Sequence, residues 1–147
     1  MRAPESKELI RRLFAAMDAV ARGDDVRAEL DALCARGFQI HMPGAPVMDQ
    51  EGFFAFLHSF AAGFPRYVHE IEEQVAEGDR VATRVTWQGT HAGEFQGIPA
   101  TGRTVVMSAL NLDRIENEQI VEHRVIFDVM GMLQQLGVIP TPETATA

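Results

Sequence analysis

The chain has 147 residues, of which 46% are hydrophobic, and this size and composition are those of one ordinary domain with its own core. Its formal charge of −8 argues against binding to nucleic acid or to an anionic membrane, since both require a positive surface. The first residues lack the apolar run of a secretory signal, and no apolar stretch reaches the ~20 residues that cross a bilayer. We expect one cytoplasmic domain over residues 1–140 and a frayed tail over 141–147.

Two amphipathic helices are predicted at the start of the chain. Apolar residues recur at three- and four-residue spacing between residues 6 and 22, where Ser6 is a candidate cap and Gly23 follows the end. A second helix is expected over Asp25–Arg36. Four of its residues fall on one apolar side: Val26, Leu30, Leu33 and Cys34.

A short strand and a third helix follow. The strand covers Phe38–Met42 and ends at the turn signal Pro43-Gly44. Asp49 is a suitable cap for the third helix, which ends near Gly63. That helix carries a cluster of apolar residues at helical spacing: Phe53, Phe56, Leu57 and Phe60.

After Pro65 the hydrophobic period changes to alternation, which is typical of strands. A glycine-rich loop occupies residues 93–103, and a short helix is expected from Asp128 to Leu136. Helices followed by strands predict an α+β fold, in which the helices pack on a strongly curved antiparallel sheet and leave a cavity. The four predicted strands cover residues 67–76, 79–91, 103–115 and 119–127.

Three segments are similar to those of a known family. They are Gly89-Thr90-His91, the loop Gly93–Arg103 with its GIPATGR core, and Ile120–His123 followed by Phe127–Gly137. In these segments and in the order of its elements, the chain resembles the SnoaL-like polyketide cyclases of the NTF2-like superfamily. The resemblance spans nearly the whole chain. It implies a conical α+β barrel and a homodimer that pairs across the sheet.

The best-known members of this family close a ring in an aromatic polyketide by an intramolecular aldol reaction, without metal or cofactor. An aspartate near the last strand takes the acidic proton between two carbonyls, and a histidine on the preceding strand assists. Many relatives have Glu-His-Trp-Asp where this chain has Glu122-His123-Arg124-Val125. Asn111 aligns with the assisting histidine, whereas Asp128 is retained. The resemblance therefore implies a cyclase or isomerase of antibiotic biosynthesis with altered acid–base residues.

Asp128, at the junction of the last strand and the last helix, is the first candidate for catalysis. A two-residue turn at Asn117-Glu118 would put Met107 opposite Asp128. The same register puts Asn111 opposite Arg124, and all four side chains then share one sheet face. An aspartate, a guanidinium and an amide on one face can abstract a proton and hold an enolate oxygen. The alternative is structural, with Asp128 capping the helix and pairing with Arg124.

Histidines are the next candidates, each with a structural alternative. In the predicted register His123 lies on the opposite, apolar face, either as a pocket acid–base group or as a core histidine bonded to a backbone carbonyl. A one-residue slip or a bulge would exchange the two faces. His41 is either at the pocket mouth or a turn-stabilising side chain. His91 organises the following loop, and His69 has no visible partner.

The expected pocket is lined by aromatic and methionine side chains, many of which serve only as core. The five histidines lack the spacing of zinc ligands, and the single cysteine permits no internal disulfide. The glycines of the 93–103 loop do not open a helix, so they form no phosphate-binding loop. We expect no metal and no cofactor. The candidate substrate-binding residues are His41, Phe53, Trp87, Met107 and Phe127.

Three functional hypotheses follow from these residues. The first is a cofactor-free cyclase or isomerase that closes a ring in a polyketide-type molecule, either with a dedicated base or by folding the substrate into a near-attack shape. The second is a cofactor-free hydroxylase or epoxide-opening enzyme, which would require dioxygen and a reductant or would form a diol. The third is a non-catalytic protein of the same fold that binds small molecules.

Overall fold

The computed structural model of the chain describes residues 1–142, so most of the predicted frayed tail, residues 143–147, lies outside the described range. Its elements follow the predicted α+β order. None of the helices within the described range is long and apolar enough to cross a membrane. The elements are α1 (Ala3–Ala21), α2 (Arg27–Leu33), β1 (Cys34–His41), α3 (Gln50–Gly63), β2 (Val68–Glu77), β3 (Arg80–Thr90), β4 (Thr104–Glu116), β5 (Gln119–Phe127) and α4 (Val129–Gln135).

The five strands form one sheet in the order β1-β5-β4-β3-β2. The last four strands form an antiparallel meander, as predicted, whereas β1 pairs parallel with β5. The sheet is therefore mixed rather than wholly antiparallel, and it stays open, with β1 and β2 as its edges. The edge strand β2 carries the exposed carboxylates Glu70, Glu72 and Glu73, which discourage pairing with another sheet.

Two predicted helix boundaries are corrected by the structure. Helix α1 begins at Ala3 rather than at Ser6, and the Glu5 carboxylate accepts a hydrogen bond from the backbone N–H of Arg2 at 3.1 Å. Helix α2 ends at Leu33, because Cys34 already pairs with Ile120 in the parallel ladder. The apolar residues keep helical spacing as far as Cys34, but the pairing of β1 with β5 gives Cys34 and the residues after it an extended conformation.

The core consists of two apolar clusters that meet at the inner face of the sheet. One joins α1, α2 and β1 to that face, and includes Ile10, Leu13, Phe38 and Ile40. The other is aromatic and lies at the end of α3, where the rings of Phe60, Phe64, Trp87 and Phe95 pack together. Position 89 is glycine because a Cβ there would stand 2.7 Å from the Trp87 ring.

Candidate functional site

A pocket opens between the inner face of the sheet and helices α1 and α3. Its empty volume, including the mouth, is about 620 Å³. The polar side chains on its wall are Tyr67, His69, Asn111 and His123, and they stand among apolar ones. The apolar wall includes Phe14, Phe53, Phe60, Trp87, Met107 and Phe127.

The predicted register of β4 and β5 is wrong by one residue. The turn at Asn117-Glu118 forms as expected, with positive φ angles of 49° and 63° at its two residues. However, the register shifts at a β-bulge just beyond Ile115, so that Asn111 faces Val125 instead of Arg124. The bulge exchanges the faces of β5 relative to β4. Asn111 and Met107 therefore share the inner face with His123, not with Arg124.

His123 and Asp113 form a buried hydrogen-bonded pair on this inner face. They stand opposite each other in the β4–β5 ladder, and Nδ1–H of His123 donates to the Oδ1 of Asp113 at 2.6 Å. The side chains are 4% and 0% exposed, respectively. No hydrogen bond within residues 1–142 engages the Nε2 of His123. A carboxylate on Nδ1 fixes the ring and stabilises the imidazolium that forms when Nε2 takes a proton.

Asn111 supplies an amide beside this pair. It precedes Asp113 by two residues on β4, so both side chains point to the inner face, and its own side chain is buried. Its Nδ2 donates a long hydrogen bond of 3.5 Å to the Thr83 carbonyl. An amide carries both donor and acceptor groups, and can therefore hold a substrate carbonyl or an enolate oxygen.

A second histidine–carboxylate pair lies beside another part of the pocket, and its histidine, His69, is on the pocket wall. The Nδ1 of His69 on β2 lies 2.7 Å from the Oδ1 of Asp18 on α1. The backbone N–H of His69 also donates to both carboxylate oxygens of Asp18, at 3.2 Å each. The Phe14 ring lies between the two histidines, with its centroid 5.0 Å from that of His69 and 6.3 Å from that of His123.

Tyr67 and Cys34 are held in their protonated forms. Burial, helped by the charge of Asp18, raises the pKa of the Tyr67 hydroxyl, which donates to the carbonyl of Met17 at 3.1 Å. Burial, with smaller contributions from Asp113 and Asp31, raises the pKa of the Cys34 thiol to about 12. Tyr67 lines the pocket, but its proton is engaged by the backbone carbonyl of Met17 and is not free to serve an oxyanion.

Three of the predicted site residues lie away from the pocket. Asp128 is exposed and accepts a hydrogen bond from the backbone N–H of Gly131 at 2.9 Å, so it caps α4. Arg124 lies on the outer face of the sheet, 48% exposed, with its Nε 3.7 Å from Glu122. His41 bonds to Gln39 on the same strand. The other predicted residues, Phe53, Trp87, Met107, Asn111, His123 and Phe127, all line the pocket.

The family of the chain follows from its sequence together with this architecture. A sequence profile of the SnoaL-like polyketide cyclases matches residues 11–136. The chain belongs to this family. It is 30% identical to the aklanonic acid methyl ester cyclase DauD of Streptomyces sp. strain C5 over 138 residues, which cover 92% of this chain and 84% of DauD.

Two solved structures are also similar. Wild-type IdmH from Streptomyces antibioticus superposes with a TM-score of 0.79 at 35% identity, over 90% of this chain and 98% of IdmH. A SnoaL-like polyketide cyclase from Jannaschia sp. CCS1 has the same fold, with a TM-score of 0.84 at 24% identity, over 95% of this chain and 99% of that protein.

The sequence of this cyclase-family member carries no direct signal for three site residues, Asp18, His69 and Asp113. Asp113 is one of several carboxylates on the predicted strands, and Asp18 is one charge on an amphipathic helix. Alternation along β4 does place Asn111 and Asp113 on one face, and that was the available signal. The Asp18–His69 pair joins residues 51 positions apart, so only the packing of α1 on β2 reveals it.

His91, in the loop segment that resembles the cyclases, has the organising role expected of it. Its Nδ1 accepts a hydrogen bond from the backbone N–H of Thr101 at 3.2 Å, and its ring stacks on Phe64. The 93–103 loop is thereby fastened to the end of β3. Within residues 1–142, no group of three or more His, Cys, Asp or Glu side chains is placed to hold a metal ion.

The capping role of Asp128 gives a prediction about this cyclase-family chain. Replacing Asp128 with alanine should lower the free energy of unfolding by ~1 kcal/mol, because the Gly131 N–H loses its acceptor. Asparagine at this position should retain most of the stability, since its side chain also caps. Thermal denaturation of the two variants measures the difference. If Asp128→Asn lowered turnover tenfold while leaving stability unchanged, Asp128 would have a catalytic role instead.

Proposed function

We propose that this chain catalyses the intramolecular ring closure of a polyketide-type carbonyl compound, with His123 as general base and Asp113 as the carboxylate that positions it. The observation that carries the proposal is the buried Asp113–His123 pair, whose imidazole lies on the wall of an otherwise largely apolar pocket. DauD, a relative across most of the chain, is named for the cyclisation of aklanonic acid methyl ester. That name, together with the aromatic polyketides that the family resemblance implies, supports the methyl ester of a polyketide acid with two neighbouring carbonyls as the substrate class.

The reaction needs two proton transfers and one new carbon–carbon bond. The Nε2 of His123 removes a proton from the carbon between two carbonyls, and the resulting enolate is held by the Asn111 amide. The enolate carbon attacks a ketone carbon of the same molecule, a C–C bond forms, and the former ketone oxygen receives a proton. Substrate and product have the same atoms, so the proposal requires no oxidant, reductant or cofactor.

The apolar walls contribute by folding the substrate. Aromatic side chains such as Phe14, Phe53 and Trp87 border the polar groups and leave a flat ligand few orientations. Holding the two reacting carbons within reach converts an improbable encounter into a favoured one. The small number of polar groups also reduces hydrolysis and proton exchange with water.

The test is the turnover of a defined substrate. An aromatic β-keto ester that carries a side-chain ketone should cyclise faster with the protein than in buffer. Because the product has the same mass, chromatographic separation with detection of the ring-closed isomer is the measurement. Incubation in deuterated buffer adds a second readout, namely exchange at the acidic carbon. Equal rates with protein and with buffer, for cyclisation and for exchange, would overturn the proposal.

The proposal includes a cytoplasmic homodimer, for which the outer face of the sheet offers a surface. This face exposes a cluster of apolar side chains that we call the outer patch. Leu110 and Ile126 stand opposite each other in it and are 56% and 62% exposed. A second copy of the chain is the occupant expected from the family resemblance. The outer patch consists of Val106, Leu110, Leu112 and Ile126.

Charge in the outer patch should therefore separate the protomers. We expect the double variant Leu110→Lys/Ile126→Lys to elute as a monomer and to keep its fold, because both side chains point away from the core. Size-exclusion chromatography with light scattering and circular dichroism measure the two properties. Val75→Lys, at a 64% exposed position on the edge strand β2, is the matched control and should remain dimeric. A wild-type monomer at micromolar concentration would contradict the prediction.

A further inference from the structure

The pair formed by Asp18 and His69 has no part in the proton abstraction described above. Its histidine, but not Asp18, lines the same pocket as His123, and the Phe14 ring lies close to both imidazoles. Its imidazole is bound through Nδ1, and no hydrogen bond of the described residues reaches Nε2. Its geometry therefore matches that of the Asp113–His123 pair, in which Nδ1 also bonds to a carboxylate and Nε2 has no hydrogen bond within the described residues.

A purely structural role explains the carboxylate better than the imidazole. Asp18 ties α1 to β2 by accepting from the backbone N–H of residue 69, and any residue except proline supplies this donor. The imidazole adds a titratable group to the pocket wall. The groups that surround it are Asp18 on α1, Tyr67 with its ring centroid 5.6 Å away, and His123 beyond Phe14.

The pocket offers few groups that can release a proton to the substrate. Among the lining side chains, all of which lie in the described range, only Tyr67, His69 and His123 have a transferable proton. The Tyr67 hydroxyl is engaged by the Met17 carbonyl, and burial disfavours its ionised form. His123 begins as the base. His69 is the group that remains.

We propose that His69, positioned by Asp18, is the general acid that protonates the ketone oxygen as the ring closes. This inference rests on the proposed ring closure and assigns its second proton. As the C–C bond forms, the ketone π-bond breaks towards oxygen, and that oxygen takes the Nε2 proton of His69. His123 ends protonated and His69 neutral, so one proton must return from His123 to His69 before the next turnover, through water that enters the pocket once the product has left.

The different exposure of the two pairs supports this division of roles. The His69 and Asp18 side chains are 12% and 17% exposed, whereas His123 and Asp113 are 4% and 0% exposed. An imidazolium–carboxylate pair in partial contact with water keeps part of its hydration and can be reloaded from solvent. The fully buried pair lacks that contact and is better suited to accept a proton from the substrate.

The experiment compares His69→Gln, Asp18→Asn and His123→Gln in the ring-closure assay, with His58→Gln as control. Glutamine can still bond to Asp18 but cannot transfer a proton. His58 is exposed on α3 and packs on Phe54, outside the pocket.

General acids commonly contribute ~10²–10⁴-fold to the rate. We expect His69→Gln to lower kcat at least ~tenfold with KM changed less than ~threefold. The wild-type kcat should fall at high pH, where His69 has lost the proton that it donates. This fall should disappear in His69→Gln and should move along the pH axis in Asp18→Asn.

The outcomes separate this inference from the proposed function. If His123→Gln is inactive while His69→Gln keeps the wild-type kcat and pH profile, the acid role of His69 is overturned and the proposed function stands. A lowered kcat with an unchanged pH profile also overturns it, since that is the result of a structural role. If wild-type protein shows no turnover, both proposals fail. Loss of the high-pH limb in His69→Gln alone, with His58→Gln unchanged, supports the acid role.

Discussion

Replacing His123 with glutamine should lower kcat for ring closure by ~10²–10⁴-fold, the usual contribution of a general acid–base group. The reason is that Nε2 of His123 is the proposed acceptor of the substrate proton, and the remaining lining side chains include no carboxylate. The apolar pocket would still fold the substrate, so the residual rate should exceed that in buffer. The same assay of ring-closed product measures the effect, and His58→Gln should be unchanged.

The buried carboxylate complicates this variant. In His123→Gln, the amide replaces an imidazole that is able to carry a compensating positive charge beside Asp113. Breaking a buried pair in this way commonly costs ~3–5 kcal/mol, enough to unfold a marginal domain. The double variant His123→Gln/Asp113→Asn removes the charge and restores a neutral hydrogen-bonded pair. We expect it to be folded by circular dichroism and as inactive as the single variant.

The contrary result also has a definite meaning. If the folded double variant retained the wild-type rate, ring closure would depend on the shape of the pocket and not on a base at position 123. The near-attack hypothesis would then replace the acid–base one. In the double variant, deuterium exchange at the acidic carbon would fall if His123 is the base, and would keep the wild-type rate if the shape of the pocket is sufficient.

Filling the pocket is the second change with a large expected effect. Ala109 lies on the inner face of β4, opposite Val85 on β3 and Phe127 on β5, and lines the pocket. A phenylalanine there would occupy the space in which a substrate ring stacks. Losing that contact removes ~1.5–3 kcal/mol of binding free energy, which corresponds to a ~10- to 150-fold lower kcat/KM.

The fold should tolerate Ala109→Phe, because position 109 lines the pocket and the new ring can extend towards its open mouth rather than into the packed core. We expect its thermal midpoint to be close to that of the wild type or higher. The control is Val75→Phe, which places the same ring at a 64% exposed position on β2. Wild-type kcat/KM in a folded Ala109→Phe variant would show that the substrate does not enter this pocket. Since this test does not depend on proton transfer, it separates the location of the site from its mechanism.

Much of the architecture could be predicted from local pattern. Alternation located the four strands of the meander within one or two residues, and Asp49 caps α3 as predicted through Gly52 N–H at 2.8 Å. The positive φ angles at Asn117 and Glu118 match the predicted two-residue turn. The pairing of β1 with β5 was not predictable in this way, because these strands are far apart in the chain and their pairing depends on the whole meander.

The candidate site, like the fold, was predictable in part from local pattern and in part only from tertiary contacts. Residue types and spacing alone determined the α+β class, the apolar and aromatic residues that line the pocket, and a short set of polar candidates that included Asn111 and His123. Tertiary structure decided which of them meet. A single bulge in β5 turned His123 towards Asn111 and left Arg124 outside, and the packing of α1 on β2 joined Asp18 to His69. Periodicity specifies which side chains share a face within one strand. The register between strands and the contacts between distant elements are set by the packing of the whole domain.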